Sequence, residues 1–175
     1  LGSTGIDERY ADNWQGSLQA GVPRRGAYHY VITGVSALMQ VANILDVTGG
    51  DFGTEPFTLD VERTNAERLA MAGGWVFPKT SYTAILLEMV SRLSRQVRVR
   101  IYTNKTEWQM MTTQPSWAAQ YPLWVAGYPA DPNHQTYRPT VPAPWAAWSV
   151  WQYSSKGSVP GITGKPFCSA NRRTA

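Results

Sequence analysis

Asp60 and Glu62 stand two residues apart at the end of a short apolar run, Phe57-Thr58-Leu59-Asp60-Val61-Glu62. Side chains of a strand alternate between its faces, so both acids point one way, with Cα atoms about 6–7 Å apart. Two carboxyls on one face of a buried strand repel each other and resist burial. Such a pair suits acid/base chemistry, in which one carboxyl keeps a proton while its neighbour stays ionised. It equally suits a strand end that leaves both acids in water. Spacing alone leaves both readings open.

Other chemistries find less support. No His/Cys/Asp cluster has the spacing of metal ligands, and no glycine-rich loop leads into a helix with Lys-Ser or Lys-Thr, so no metal and no cofactor are expected. A single cysteine, Cys168, excludes an internal disulfide and a multi-cysteine zinc site. His29 alternates with Tyr28 and faces the opposite way, which fits a structural histidine better than a catalytic one. Asn104-Lys105-Thr106 is a formal glycosylation triplet of a kind that arises often by chance.

Composition bounds what must position these groups. A chain of 175 residues, 43% hydrophobic and 16% charged, is expected to form one globular domain spanning 1–175. No run approaches the roughly 20 apolar residues of a membrane span. The net charge of +4 suits an anionic polymer such as cell wall or nucleic acid. Nucleic acid is disfavoured, since no basic run is interleaved with aromatics. Arg92, Arg95, Arg98 and Arg100 read as solvated helix surface. Eight Trp and nine Tyr, many in the second half, lean towards packing on the C–H faces of sugars, although core packing accounts for most such residues. No signal-peptide pattern opens the chain, and Leu1-Gly2-Ser3-Thr4-Gly5 reads as the middle of a domain.

The pattern predicts helices over 11–20, 35–47, 80–95 and 105–112, with a short one near 66–71 in a long loop over 63–78. Leu38, Val41, Ala42 and Leu45 are expected to form the buried face of the second helix. Tyr82, Ile85, Leu86, Met89, Val90 and Leu93 keep a helical period in the 80–95 segment. Strands are predicted over 26–32, 57–62, 97–103, 123–128 and 148–154, with a proline-rich surface loop over 129–144. Alternating strands and helices imply an α/β domain with a largely parallel sheet, in which helices fade towards the C-terminus.

The order of motifs adds to this. Ser3-Thr4-Gly5, Asp7 and Asn13 precede Gly26-Ala27-Tyr28-His29-Tyr30, then Leu59-Asp60-Val61-Glu62 and Ile101-Tyr102-Thr103. Leu123-Trp124-Val125-Ala126-Gly127-Tyr128, Trp151-Gln152-Tyr153-Ser154-Ser155, Gly157 and the run Val159 to Gly164 (VPGITG) complete the series. Nearly the whole chain thereby resembles glycoside hydrolase family 25, the Chalaropsis-type lysozymes.

The resemblance implies an irregular TIM-like barrel of five β/α units followed by three strands, with its site at the C-terminal strand ends. The chain matches the third to seventh of those strands. The family's first strand, with its Gly-Ile-Asp, and most of the second have no counterpart, so the barrel is expected to be incomplete at the N-terminus. In place of the family's closing Asp-x-Asn stands Lys165 to Asn171 (KPFCSAN), where Asn171 matches and the Asp does not. The implied activity is that of an N-acetylmuramidase, cutting the β-1,4 bond between N-acetylmuramic acid and N-acetylglucosamine in cell-wall peptidoglycan. By resemblance Glu62 is the general acid and Asp60 the charged partner that stabilises the oxocarbenium ion. A separation of about 6–7 Å lies between the usual retaining and inverting values, and the 2-acetamido group of the substrate could itself assist. Tyr28, Tyr102, Trp124, Tyr128 and Gln152 are the candidates to bind substrate at the mouth. The family acts outside cells, in cell walls or as phage lysins. Two alternatives stay open: a remnant that binds peptidoglycan without cutting it, and a chitinase-like barrel, whose usual DxxDxDxE motif is longer than the pair here.

Overall fold

Phe57, Leu59 and Val61 alternate with Thr58, Asp60 and Glu62, and this alternation divides the sheet into an apolar and a polar face. The computed structural model describes residues 5–130 and 137–157, and the backbone of 167–172. In chain order the elements are α1 (Tyr10–Gln19), β1 (Tyr28–Tyr30), α2 (Ala37–Thr48), β2 (Phe57–Asp60), α3 (Asn65–Ala72), α4 (Lys79–Leu93), β3 (Val99–Thr103) and α5 (Lys105–Met111). A 3-10 turn at Ser116–Gln120 leads to β4 (Leu123–Ala126), β5 (Val150–Gly157) and β6 (Phe167–Arg172).

The strands form one sheet in the order β1-β2-β3-β4-β5-β6. The first five run parallel, and β6 lies antiparallel to β5. Among the described residues no pairing joins β1 to β6. The α/β expectation therefore holds, with a five-stranded parallel sheet at its centre, and among the described residues after α5 only the 3-10 turn stands between strands as a helical element.

The core lies between one face of this sheet and the helices. Leu59, Val61, Ile101 and Val125 are fully buried against Val41 and Ile44 of α2, Tyr82, Leu86, Met89, Val90 and Leu93 of α4, and Trp108 and Met111 of α5. The face expected for the 80–95 helix is the one α4 buries, with Ile85 at its margin. In α2 the buried residues are Ala37, Gln40, Val41 and Ile44, while Leu38 is exposed and Leu45 only partly covered. The expected face of this helix is thus rotated, because a buried polar anchor fixes it. Gln40 Oε1 accepts from the Ile32 N–H (2.9 Å), and its Nε2 donates to the carbonyls of Ile32 (3.0 Å) and Val35 (2.9 Å). The amide satisfies the turn that leads from β1 into α2, so apolar periodicity does not decide the helix rotation.

Bounds differ from expectation mainly at strand ends. β1 is shorter than 26–32, and β2 ends at Asp60, although the Val61 N–H still donates to the Tyr102 carbonyl (2.9 Å). The closing strand β6 overlaps the expected 165–171 stretch, running one residue past it, and places Asn171 opposite Trp151. The VPGITG run, Ser3-Thr4 and the side chains of Cys168 and Asn171 lie outside the described residues. No helix among the described residues is long and apolar enough to cross a membrane.

Candidate active site

The polar face carries the acids. Register sets Tyr30, Asp60, Tyr102 and Trp124 side by side across β1 to β4. Two residues nearer the N-terminal ends, the next row holds Tyr28, Thr58 and Arg100. There Arg100 donates to the Thr58 hydroxyl through Nε (3.2 Å) and Nη2 (3.0 Å) and lies 4.7 Å from the Trp124 ring centre. Of the four neighbouring arginines, Arg92, Arg95 and Arg98 are exposed as expected, whereas Arg100 is buried in this row.

Glu62 lies just beyond the strand end, in a backbone held by side chains. The Thr103 hydroxyl donates to the Val61 carbonyl (2.9 Å), and the Tyr30 hydroxyl donates to the Glu62 carbonyl. The Arg63 N–H donates to Glu107 Oε2 (3.0 Å). Directly afterwards Thr64 and Glu67 close a reciprocal capping box that starts α3.

Both acids resist ionisation. Burial, and then the charge of Glu62, pushes the Asp60 carboxyl up to about 8. Asp60 Oδ1 is buried and accepts no hydrogen bond among the described residues. Burial also raises Glu62, followed by the charge of Glu107, against which Arg68 and a hydrogen bond from Tyr102 act. Burial leads for both acids, but the charge that adds to it at Glu62 comes from Glu107 and not from Asp60, and Asp60 is the acid with the large shift. At neutral pH Asp60 therefore keeps its proton, and Glu62 is displaced in the same direction. Burial, and then the charge of Glu62, raises the Tyr102 hydroxyl too, so it stays a donor.

The expected substrate-binding residues divide into groups. Tyr102 bonds the Glu62 carboxylate and shares a second hydrogen bond with Tyr128, which is 51% exposed beyond β4. Trp124 meets Tyr102 edge-on at 5.4 Å, and its buried indole N–H has no acceptor among the described residues. Gln152 pairs in register with Ala126 and is buried, so its amide lies inside the fold. Tyr28 is 70% exposed in the lower row, and β2 separates its strand from that of Tyr102; Tyr30 is the tyrosine opposite Asp60. His29 turns to α2 instead of the acids: its Nε2 lies 3.0 Å from Gln40 Oε1, and burial holds its pKa down.

Three residues near the pair escape sequence reasoning. Tyr30 has the same strand parity as Tyr28, so only register separates them. Arg63 and Glu107 form a buried ion pair (2.8 Å) across 44 residues. The Asn104-x-x-Glu107 spacing signals a helix N-cap, and the Asn104 side chain does accept the Glu107 N–H (3.0 Å). A cavity of about 780 Å³ lies elsewhere, between α1, β1 and α2, and shares only Tyr30 with the row of the acids. Among the described residues no three His, Cys, Asp or Glu side chains gather as a metal would require.

Similarity to known proteins now bears on this geometry. Lysozyme M1 of Streptomyces globisporus is 30% identical over 165 residues, covering 90% of this chain and 52% of that protein. The uncharacterized protein YegX of Escherichia coli K12 is 31% identical over 159 residues, covering 91% of this chain and 52% of that protein. The chain thus spans about half the length of these relatives. The crystal structure of the bacterial lysozyme from Streptomyces coelicolor superposes with a TM-score of 0.76 at 26% identity, covering 98% of this chain and 77% of that one. The model of the glycosyl hydrolases family 25 matches residues 2–162. With that match over most of its length, the chain belongs to glycosyl hydrolases family 25.

Proposed function

We propose that this chain cleaves peptidoglycan as an N-acetylmuramidase, hydrolysing the β-1,4 bond between N-acetylmuramic acid and N-acetylglucosamine. One observation carries the reading: a carboxyl pair, with both members pushed towards their protonated forms, stands at the C-terminal end of a strand in a parallel sheet. Glycoside hydrolysis needs one proton for the leaving oxygen and one negative charge beside the developing oxocarbenium ion. Two neighbouring carboxyls that both favour the protonated form can keep a proton for transfer, and their mutual repulsion lets one carry the charge.

In this reading Glu62, beyond the strand end, delivers the proton. Asp60, deeper on the same face, carries the charge once the proton has moved to Glu62. Tyr102 and Tyr128 orient Glu62 and reach the sugar, with Trp124 as the apolar wall behind them. Tyr28 serves the groove only at its margin, and Gln152 supports it from inside the fold. We read the sheet as belonging to an irregular TIM-like barrel, supported by the loss of helices after α5. Action on cell walls from outside the cell, or as a phage lysin, follows from the substrate.

The test is Glu62→Gln, which keeps the shape and removes the transferable proton. Lysis of bacterial walls, followed by turbidity, is expected to fall at least about 100-fold, the lower bound for a general acid. Unchanged lysis would exclude Glu62 as donor. Retention on insoluble peptidoglycan without any clearing by the unmutated protein would favour a binding module instead.

A further inference from the structure

We propose that Glu107 is the positioning residue of the proton donor: it clamps the peptide unit that follows Glu62 and holds a fixed negative charge behind the donor. The inference rests on the reading of Glu62 as general acid. Glu107 is only 4% exposed, yet among the described residues every donor its carboxylate accepts from lies in the segment after Glu62. Its Oε2 takes the Arg63 N–H (3.0 Å) and Arg63 Nε (2.8 Å). Its Oε1 takes Arg63 Nη2 (3.2 Å) and Arg68 Nη2 (3.0 Å).

The Arg63 N–H and the Glu62 carbonyl belong to one peptide unit. Glu107 holds its N–H and the Tyr30 hydroxyl holds its carbonyl. The strand ladder ends just before this unit, since Val61 makes the last backbone bond to Tyr102. Side chains of two other elements, β1 and α5, thus replace the ladder where the donor is attached. A donor must be held to within a fraction of an ångström of its productive position, and this clamp removes the freedom that a strand end would otherwise have. A buried ion pair serving only to tie α5 to the sheet would need the guanidinium contacts but not the backbone one.

Charge adds a second consequence. The groups around Glu62 are Asp60 from β2, Tyr102 from β3, Tyr30 from β1, Arg63, Glu67 and Arg68 from the α3 segment, and Glu107 from α5. Glu107 opposes the ionisation of Glu62, whereas Arg68 favours it. The two partners of one salt bridge therefore act on the donor with opposite signs.

Glu107→Gln leaves Arg63 and Arg68 without their counter-charge, so Glu62 loses its proton at lower pH. The high-pH limb of the lysis profile is expected to move down, and kcat at neutral pH to fall roughly tenfold, a fraction of what a general acid contributes. KM is expected to stay within about twofold. Arg68→Gln is expected to move the same limb up. A tie of purely structural value would shift both variants alike, or neither, and either result would overturn the proposal. Carbon-13 NMR titration of the Glu62 carboxyl in both variants gives the same pair of opposite shifts without turnover. Glu62→Gln is assayed alongside. Normal lysis by that variant defeats the donor reading itself, whereas its inactivity beside unshifted Glu107 and Arg68 variants defeats only the present inference.

Discussion

Asp60 shows what one buried acid does to the molecule. Burial and then the charge of Glu62 move it from 3.8 to about 8. Between those values the folded state binds a proton that the unfolded state has released, so stability falls as pH rises through that window. The stabilisation is complete below the unfolded value and lost above the folded one. Asp60→Asn removes the titration. Its unfolding free energy in denaturant is expected to stay flatter between about pH 4 and about pH 8 and to exceed that of the unmutated protein at the upper end, by on the order of a few kcal/mol. Parallel curves for the two proteins would show that Asp60 is not the group responsible. Lysis by the same variant is expected to fall, so a gain in stability would accompany a loss of function, as at other sites built from costly groups. The pairing of Asp60 with Glu62 was legible from strand parity. The proton held by Asp60 was not, because it depends first on burial, which strand parity does not measure; nor was the shift of Glu62, to which the charge of Glu107, 45 positions away, contributes.

Among elements, the β1–α2 unit and the β2–α3 unit are closed by different devices. The second is local: Thr64 and Glu67 cap α3 within a single turn, and a Thr-x-x-Glu spacing can be read directly. The first is not local in that sense. Gln40 reaches back to Ile32 and Val35 and meets His29, and this decides which face of α2 turns inward. Hydrophobic periodicity assigned that face to Leu38, Val41, Ala42 and Leu45, and only Val41 is fully buried. A glutamine in an apolar helix reads as surface unless its backbone partners are known. Gln40→Ala strands the Ile32 N–H and the carbonyls of Ile32 and Val35, which is expected to cost roughly 2–4 kcal/mol in guanidinium unfolding, with the slope unchanged. A loss under about 0.5 kcal/mol would mean that those groups find other partners.

For the whole molecule, charge and aromatic content matter most. The net charge of +4 favours adsorption to an anionic wall. Such attraction is screened as the Debye length shrinks from about 30 Å at 0.01 M salt to about 10 Å at 0.1 M. Retention on isolated walls is therefore expected to weaken over that range, and a salt-independent pull-down would assign binding to the proposed substrate groove alone. The tryptophans illustrate why composition underdetermines a surface. Trp108 and Trp145 pack edge-on at 4.6 Å inside the core, whereas Trp124 stands half-buried beside Tyr102 at the site.

What the sequence determined by itself is periodic or ordered along the chain. Alternation in 57–62 put two acids on one face, the helical period of 80–95 fixed the buried side of α4, and the succession of motifs identified the family. Each of these signals lies within a few residues, or in their order, and survives without knowledge of neighbours. What tertiary structure decided needed contact between distant segments. Register across β1 to β3 chose Tyr30 over Tyr28 as the partner of Asp60. Folding of α5 onto the loop after Glu62 brought Glu107 to Arg63, and so set both the backbone and the charge around the proposed proton donor. Desolvation and Coulomb interactions depend on distance through space, and a linear pattern carries no measure of that distance.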